Sequence, residues 1–490
     1  MKKADIMLLA GIPDDDNRDY LPERLKESRI VVNENGNNSQ VYPQRLKECR
    51  ECLVDDFEDV WYEYVPESYR PDRKTPLVFS MHGGLMTGWG QAVYTSWTHV
   101  ADREGFICVF PNAQLRRFWT IECEERLIEQ LSDPALSEIY MNPFPKNVDE
   151  NHDVRVVFAL IERMKRSYNI DPERIYMQGM SLGNAMTTMM ARHYGFHFAA
   201  MAGSAGPGTI GLMFHADGTP NNEGGPLPVM QTRMELDGAP PGSDDTPEEV
   251  VVKNREYWCM VNGCTCVPEI KIEGENNLAF YKGKKADYIF RDVKNRDHGQ
   301  TFDDAEFVWD YLFSGTRRKP DGRIESMEPL EQRRGDKVSF AVVPGSFFAW
   351  ANNEKVRLHG EVFVWKKLKY HGLNGKALVR GEYPMVPVRD LAEIFKADCR
   401  EKEGKAWIYM PDGRSLQFAR GCIGCTINNR IRSMSCEAVE REGILYISSE
   451  WFCREICRLQ VSECNGVIYA TDHDSALSSH MARLIRDLLK

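Results

Sequence analysis

Short apolar-rich runs recur through the first 315 positions, each stopped by a glycine, a proline or a polar turn. They fall at residues 60–65, 76–81, 106–110, 174–178, 227–232 and 286–290. Such a run, bounded by turn residues, predicts a strand buried on both faces. Between the runs lie segments with helical spacing. The clearest is 154–168, where Val157, Leu160, Ile161 and Met164 share one face before Asp171-Pro172 ends the pattern. Residues 95–104, 184–193 and 304–313 read the same way. Strands alternating with helices predict an α/β fold with a mainly parallel, doubly wound sheet.

The texture changes after the turn-rich segment Gly315-Thr316-Arg317-Arg318-Lys319-Pro320-Asp321-Gly322, which reads as a linker. Beyond it come short strands and single helices without the βα alternation. The pattern therefore predicts a first domain over 1–320 and a small α+β module over 321–490. Residues 1–55 are polar and mixed, and predict a lead-in with one or two helices.

Composition narrows the function classes. The chain has 490 residues, more than one domain ordinarily uses. Its net charge is −11 and it has no Lys/Arg-rich run, which argues against a nucleic-acid partner. No stretch reaches the ~18–20 apolar residues of a membrane span. The apolar run at 6–12 follows Asp5 and meets Asp14-Asp15-Asp16 at once, a poor signal peptide. The expected location is cytoplasmic, and the 14 cysteines are then expected as reduced, buried thiols. Cys49-x-x-Cys52 and Cys422-x-x-Cys425 suggest zinc pairs, but Cys436, Cys453 and Cys457 do not complete a recognised four-ligand spacing. No metal and no cofactor is expected. The sequence does not indicate an oligomeric state.

The chemistry concentrates at Gly179-Met180-Ser181-Leu182-Gly183. Gly-x-Ser-x-Gly arises by chance in roughly one chain in five of this length. Here it follows a predicted strand and opens a predicted helix, the setting of a nucleophile elbow on an α/β-hydrolase fold. A serine hydroxyl needs a base, and that fold supplies its partners in the order Ser, Asp/Glu, His. His193 and His197 lie on or just after the elbow helix, and His215 precedes the last strands. His298, after the last strand in Arg296-Asp297-His298-Gly299-Gln300, is the candidate base. Asp237, after the strand at 227–232, is the candidate acid, with Glu235 its near competitor and Asp244 and Asp245 remote ones. Oxyanion donors are expected at the backbone of Leu182 and of Gly84 or Leu85, beyond His82-Gly83-Gly84. His82 itself reads as a structural loop histidine.

His82-Gly83-Gly84, Ala101-Asp102-Arg103-Glu104-Gly105-Phe106, Phe110-Pro111, Asp153-Val154 and Asn169-Ile170-Asp171-Pro172-Glu173-Arg174-Ile175-Tyr176 occur in order ahead of the elbow. Across about residues 57–315 the chain resembles the polyhydroxybutyrate depolymerase and feruloyl esterase family. The resemblance implies hydrolysis of carboxylic esters, small or polymeric, with Ser181, Asp237 and His298 at the triad positions. It departs at Met234-Glu235-Leu236-Asp237, where that family commonly has Gly-Thr-Ala-Asp, and in long segments at 115–150 and 207–228 that border the expected cleft. Trp119 resembles a tryptophan that the family places near its pocket; stacking on substrate and plain loop packing both fit it.

In the C-terminal part, 386–395 followed by a strand at 406–409 is echoed about 61 residues on by 447–452 and 467–470. This resembles the copper amine oxidase N-terminal-like domain, an accessory module. His359, His371, His473 and His480 are scattered and form no copper-ligand pattern. The module is expected to bind or space rather than catalyse. The alternative to an active esterase is a lapsed hydrolase scaffold that binds a polymer or carbohydrate.

Overall fold

The computed structural model describes residues 4–8, 42–114, 118–123, 144–240, 243–327, 331–371 and 376–490. The chain divides into two compact units, 1–268 with 280–333, and 269–279 with 334–490. Among the described residues no helix is long and apolar enough to cross a membrane.

The first unit is built on the predicted alternation. Its strands are β1 (Leu46–Glu51), β2 (Asp59–Tyr64), β3 (Thr75–Met81), β4 (Ile107–Pro111), β5 (Ile170–Met180), β6 (Ala200–Ser204), β7 (Val229–Met234) and β8 (Tyr288–Val293). Its helices are α1 (Gly88–Tyr94), α2 (Trp97–Glu104), α3 (His152–Ser167), α4 (Leu182–Tyr194), α5 (Pro247–Asn262) and α6 (Asp304–Tyr311). Within this unit the strand order is β1-β2-β4-β3-β5-β6-β7-β8. β1 pairs antiparallel with β2, and β2 with β4; from β4 to β8 every pairing is parallel. This is an α/β-hydrolase fold.

Burial explains the sheet. All residues of β3, β4, β6, β7 and β8 are buried, because helices cover both faces of the parallel region. α3 turns Val154, Val157, Leu160, Ile161 and Met164 inward, and Asn151 caps its first turn by accepting the amides of Asp153 and Val154.

The N-terminal lead-in, with its one or two expected helices, falls mostly on residues outside the described ones; its described end includes Leu46–Glu51, an edge strand. Two expectations need correction. Residues 315–322 are no linker. They form a hairpin, Thr316–Arg318 with Ile324–Ser326, tied into the first unit. The Tyr176 hydroxyl donates to Thr316 O at 2.6 Å, Arg318 Nε to Phe198 O at 2.7 Å, and Lys319 pairs with Glu173 at 2.9 Å. The divide therefore lies at 333/334 rather than 320. The hairpin Glu269–Glu273/Asn276–Tyr281 belongs, up to Ala279, with the second unit. Its Asn277 donates to Ala476 O and accepts from Ser478 N, both at 3.0 Å, and buried Asp336 accepts from Ile272 N at 3.0 Å and from the Tyr469 hydroxyl at 2.6 Å.

The second unit consists of antiparallel sheets and contains the echo seen in the sequence. Lys376–Pro387 runs into the helix Val388–Ile394 and then the hairpin Asp398–Lys402/Lys405–Tyr409. Ile444–Ser448 runs into the helical segments Ser449–Trp451 and Phe452–Ile456 and then the hairpin Gln460–Cys464/Val467–Thr471. The two leading strands pair with each other, Val386 opposite Ile447. Leu391 and Phe452, at corresponding places, share one buried cluster with both strands.

Candidate active site

β5 ends at Met180 and α4 begins at Leu182, so Ser181 alone makes the turn. Its backbone sits at φ 55°, ψ −119°, a conformation that costs a non-glycine residue on the order of 1–3 kcal/mol. The surroundings enforce it. A Cβ on Gly179 would lie 2.1 Å from Gly183 O, and one on Gly183 would lie 2.2 Å from Met81 O. Both motif glycines are therefore required by close backbone approach, and the serine is thrust clear of the sheet.

His298 lies on the loop between β8 and α6, and Asp237 in the turn after β7. The Ser181 hydroxyl is 2.9 Å from His298 Nε2, and His298 Nδ1 is 2.9 Å from Asp237 Oδ1. A proton on Nδ1 is donated to the carboxylate, leaving Nε2 to accept from the serine. Asp237 is 7% exposed; its other oxygen accepts from Gly206 N at 3.4 Å and faces Arg233 Nη1 at 4.0 Å. The hydrogen bond to Asp237 raises the His298 pKa above its usual value, against the opposing effect of burial. Burial pushes the Asp237 pKa up, but His298 and Arg233 outweigh it and hold it below the usual carboxylate range.

The competitors stand elsewhere. Glu235 accepts from Asn295 N at 2.8 Å, so it fastens the loop that carries His298. Asp245 accepts from the Ser243 hydroxyl at 2.6 Å, ahead of α5. His193 contacts Glu122 and Glu223, and His215 closes a turn with Thr219.

Leu182 opens α4, so its N–H has no acceptor within the helix and points out of the N-terminus, where negative charge is favoured. Gly84 and Leu85 line the same cavity as Ser181 and Leu182, with Leu85 held at φ 65°. The His82 side chain beneath this loop is fully buried. Its Nε2 accepts from Ala113 N at 3.0 Å, and its Nδ1 lies 2.7 Å from Gly83 O. Trp119 is 1% exposed, packs on the His82 ring at 4.7 Å and donates its indole N–H to His82 O at 2.8 Å. It is absent from the cavity wall, where its neighbour Phe118 stands instead. Of the two roles open to Trp119, the geometry favours loop packing: the indole N–H is committed to the loop, and the ring packs on His82.

The cavity has a volume of about 370 Å³ and a largely apolar wall, including Leu85, Phe118, Ile121, Met189 and Leu212. The long 207–228 segment supplies part of that wall through Pro207, Thr209, Leu212 and Met213. Of the 115–150 segment, 118–123 contributes, while 115–117 and 124–143 lie outside the described residues.

No family model matches the chain. Its sequence is 27% identical over 165 residues to a bifunctional acetylxylan esterase/xylanase of Neocallimastix patriciarum, covering 32% of this chain and 20% of that protein. It is 26% identical over 147 residues to poly(3-hydroxyalkanoate) depolymerase C of Paucimonas lemoignei, covering 30% of each. The chain thus spans less than a third of the length of these relatives. Among solved structures, an acetyl xylan esterase from Aspergillus awamori aligns with a TM-score of 0.38 at 16% identity, over 54% of this chain and 98% of that one.

Two features of the site were not read from the sequence. Arg233 donates to Gly238 O at 3.0 Å and to the carbonyl of Asp237, fixing the acid's turn. Gln300 anchors the base's loop. Its Nε2 donates to Asp304 at 2.9 Å, its Oε1 accepts from Gln178 at 3.2 Å, and its backbone N–H donates to the Tyr94 hydroxyl at 3.2 Å. Gln178 in turn accepts from Ser80 and from the Trp97 indole, each at 2.9 Å, and Asp304 accepts from Ser204 at 2.8 Å and Arg291 at 2.7 Å. The only sequence signal was Gln300 standing two residues after His298.

Proposed function

We propose that the first unit is a serine esterase that hydrolyses carboxylic esters through an acyl-enzyme. The observation that carries this reading is the hydrogen-bonded line Asp237–His298–Ser181, with 2.9 Å at each step, at the edge of an apolar cavity. Similarity to an acetylxylan esterase and to a polyhydroxyalkanoate depolymerase supports ester hydrolysis as its class.

In this mechanism Ser181 Oγ attacks the ester carbonyl while His298 Nε2 takes its proton. The carbonyl oxygen becomes negative facing Leu182 N–H and the amide of Gly84 or Leu85. The imidazolium, stabilised by Asp237, returns the proton to the departing alcohol. Water then attacks the acyl-enzyme with the same base, and the acid is released. Feruloyl, acetyl and short polyhydroxyalkanoate esters are the candidate substrates. The second unit we assign to binding or spacing, as a copper amine oxidase N-terminal-like module.

Treatment with an organophosphorus fluoridate followed by peptide mapping tests this reading. The expected result is one adduct, on Ser181, with loss of hydrolysis in proportion to labelling. Labelling elsewhere, or full labelling of Ser181 with hydrolysis intact, would overturn it.

A further inference from the structure

The cavity continues along one face of α4. Ser181, Ala185, Thr188, Met189 and Arg192 all line it, at the three- and four-residue spacing of a helix face. Arg192 lies eleven positions beyond Ser181, about 16 Å at 1.5 Å per residue. Helical side chains lean toward the N-terminus, so the guanidinium is brought back to on the order of 10 Å from the serine.

The wall there changes character. Glu122, its side chain 18% exposed, also lines the cavity. Its Oε2 accepts from Arg192 Nη1 at 2.5 Å, and its Oε1 lies 2.9 Å from His193 Nε2. Arg192 Nε is tied to Asn221 O at 3.1 Å, and His193 Nδ1 faces Glu223 at 3.2 Å, so both side chains are anchored on their far sides. Burial opposes the charge on Glu122, but His193 and Arg192 hold its pKa below the usual range. A charged group at the end of an apolar cavity is costly unless hydrogen-bonded. Among the described residues each carboxylate oxygen has one donor, which leaves each a second acceptor position. Because Arg192 balances its charge, Glu122 offers lone pairs rather than net charge, so the matching ligand group is a neutral donor.

His298 must hand its proton to the alcohol oxygen, which fixes the alcohol beside the imidazole, the more exposed side of the site at 45%. The acyl group takes the remaining direction, along α4. Resting on the esterase reading, we propose that Glu122 forms an acceptor subsite for a hydroxyl carried by the acyl group, about 10 Å from the ester carbonyl.

The test compares 4-nitrophenyl 8-hydroxyoctanoate with 4-nitrophenyl nonanoate, chains of equal length that differ in the terminal donor. Wild type is expected to favour the hydroxyl ester by about tenfold in kcat/KM, because the hydroxyl gains a hydrogen bond to a charged acceptor that the alkyl analogue cannot make. Glu122→Met is expected to bring the ratio to about one. Equal rates in wild type, or an unchanged ratio in a folded Glu122→Met protein, overturn the proposal. A second measurement is independent of that variant and of turnover. Calorimetry on Ser181→Ala protein is expected to give about tenfold tighter binding of methyl 8-hydroxyoctanoate than of methyl nonanoate, and equal affinities overturn the subsite. If no ester is hydrolysed in a Ser181-dependent manner, the esterase reading fails, while calorimetry repeated on Ser181→Ala/Glu122→Met protein still decides whether Glu122 selects a hydroxyl.

Discussion

His298 Nδ1 lies 2.9 Å from Asp237 Oδ1, and this contact favours the protonated form of the proposed base. A base acts only when neutral. Because the His298 pKa is raised above 6.5, kcat/KM should climb with pH along a limb whose midpoint lies above 6.5. In Asp237→Asn the raising contact is lost, so the limb should move to lower pH while its plateau falls by about 10³–10⁴-fold, the scale found when a triad carboxylate is neutralised. A pH–rate profile of both proteins checks it; a limb that stays in place would exclude His298 as the titrating base.

The elbow predicts a steric result. Gly183→Ala places a methyl 2.2 Å from Met81 O, and backbone cannot yield as a side-chain tip can. The variant should lose about 1–3 kcal/mol of stability or more, read from the denaturant midpoint, together with most of its activity.

Gln300 predicts a kinetic split. Gln300→Leu removes the link between the Asp304 and Gln178 networks without touching the cavity wall. kcat should fall about tenfold with KM little changed, as expected when the base is misplaced in the reacting complex. A rise in KM alone would place Gln300 in substrate binding instead.

Trp119→Phe separates loop support from substrate contact. It leaves His82 O without its 2.8 Å donor, at a cost of about 1–3 kcal/mol in stability. Relative rates across feruloyl, acetyl and hydroxyacyl esters should be unchanged, because the indole stands behind the cavity wall. A change confined to aromatic acyl groups would return Trp119 to the pocket.

What the sequence revealed follows from where the physics is local. β3 and β4 were legible because strands covered on both faces must be apolar throughout. β1, Leu46–Glu51, was not: an edge strand with mostly exposed side chains reads as polar chain. β6, Ala200-Met201-Ala202-Gly203-Ser204, was missed because α4 packs closely there, where a Cβ on Gly203 would lie 1.7 Å from Asn184 Oδ1, and small residues dilute the strand signal. The 315–322 segment has turn composition, and only its tertiary bonds to Phe198, Tyr176 and Glu173 reveal a docked hairpin. Ser181, Asp237 and His298 could be selected because the fold fixes the order of the elements that bear them. Arg233 and Gln300 act through contacts that no spacing encodes.

The central claim, that Ser181 is a nucleophile activated by His298, is tested most directly by stopped-flow hydrolysis of 4-nitrophenyl acetate. Acylation followed by slower release predicts a burst of nitrophenolate approaching one equivalent per chain, absent from Ser181→Ala and from His298→Ala. An equal burst or an equal steady rate in the Ser181→Ala protein would contradict the account.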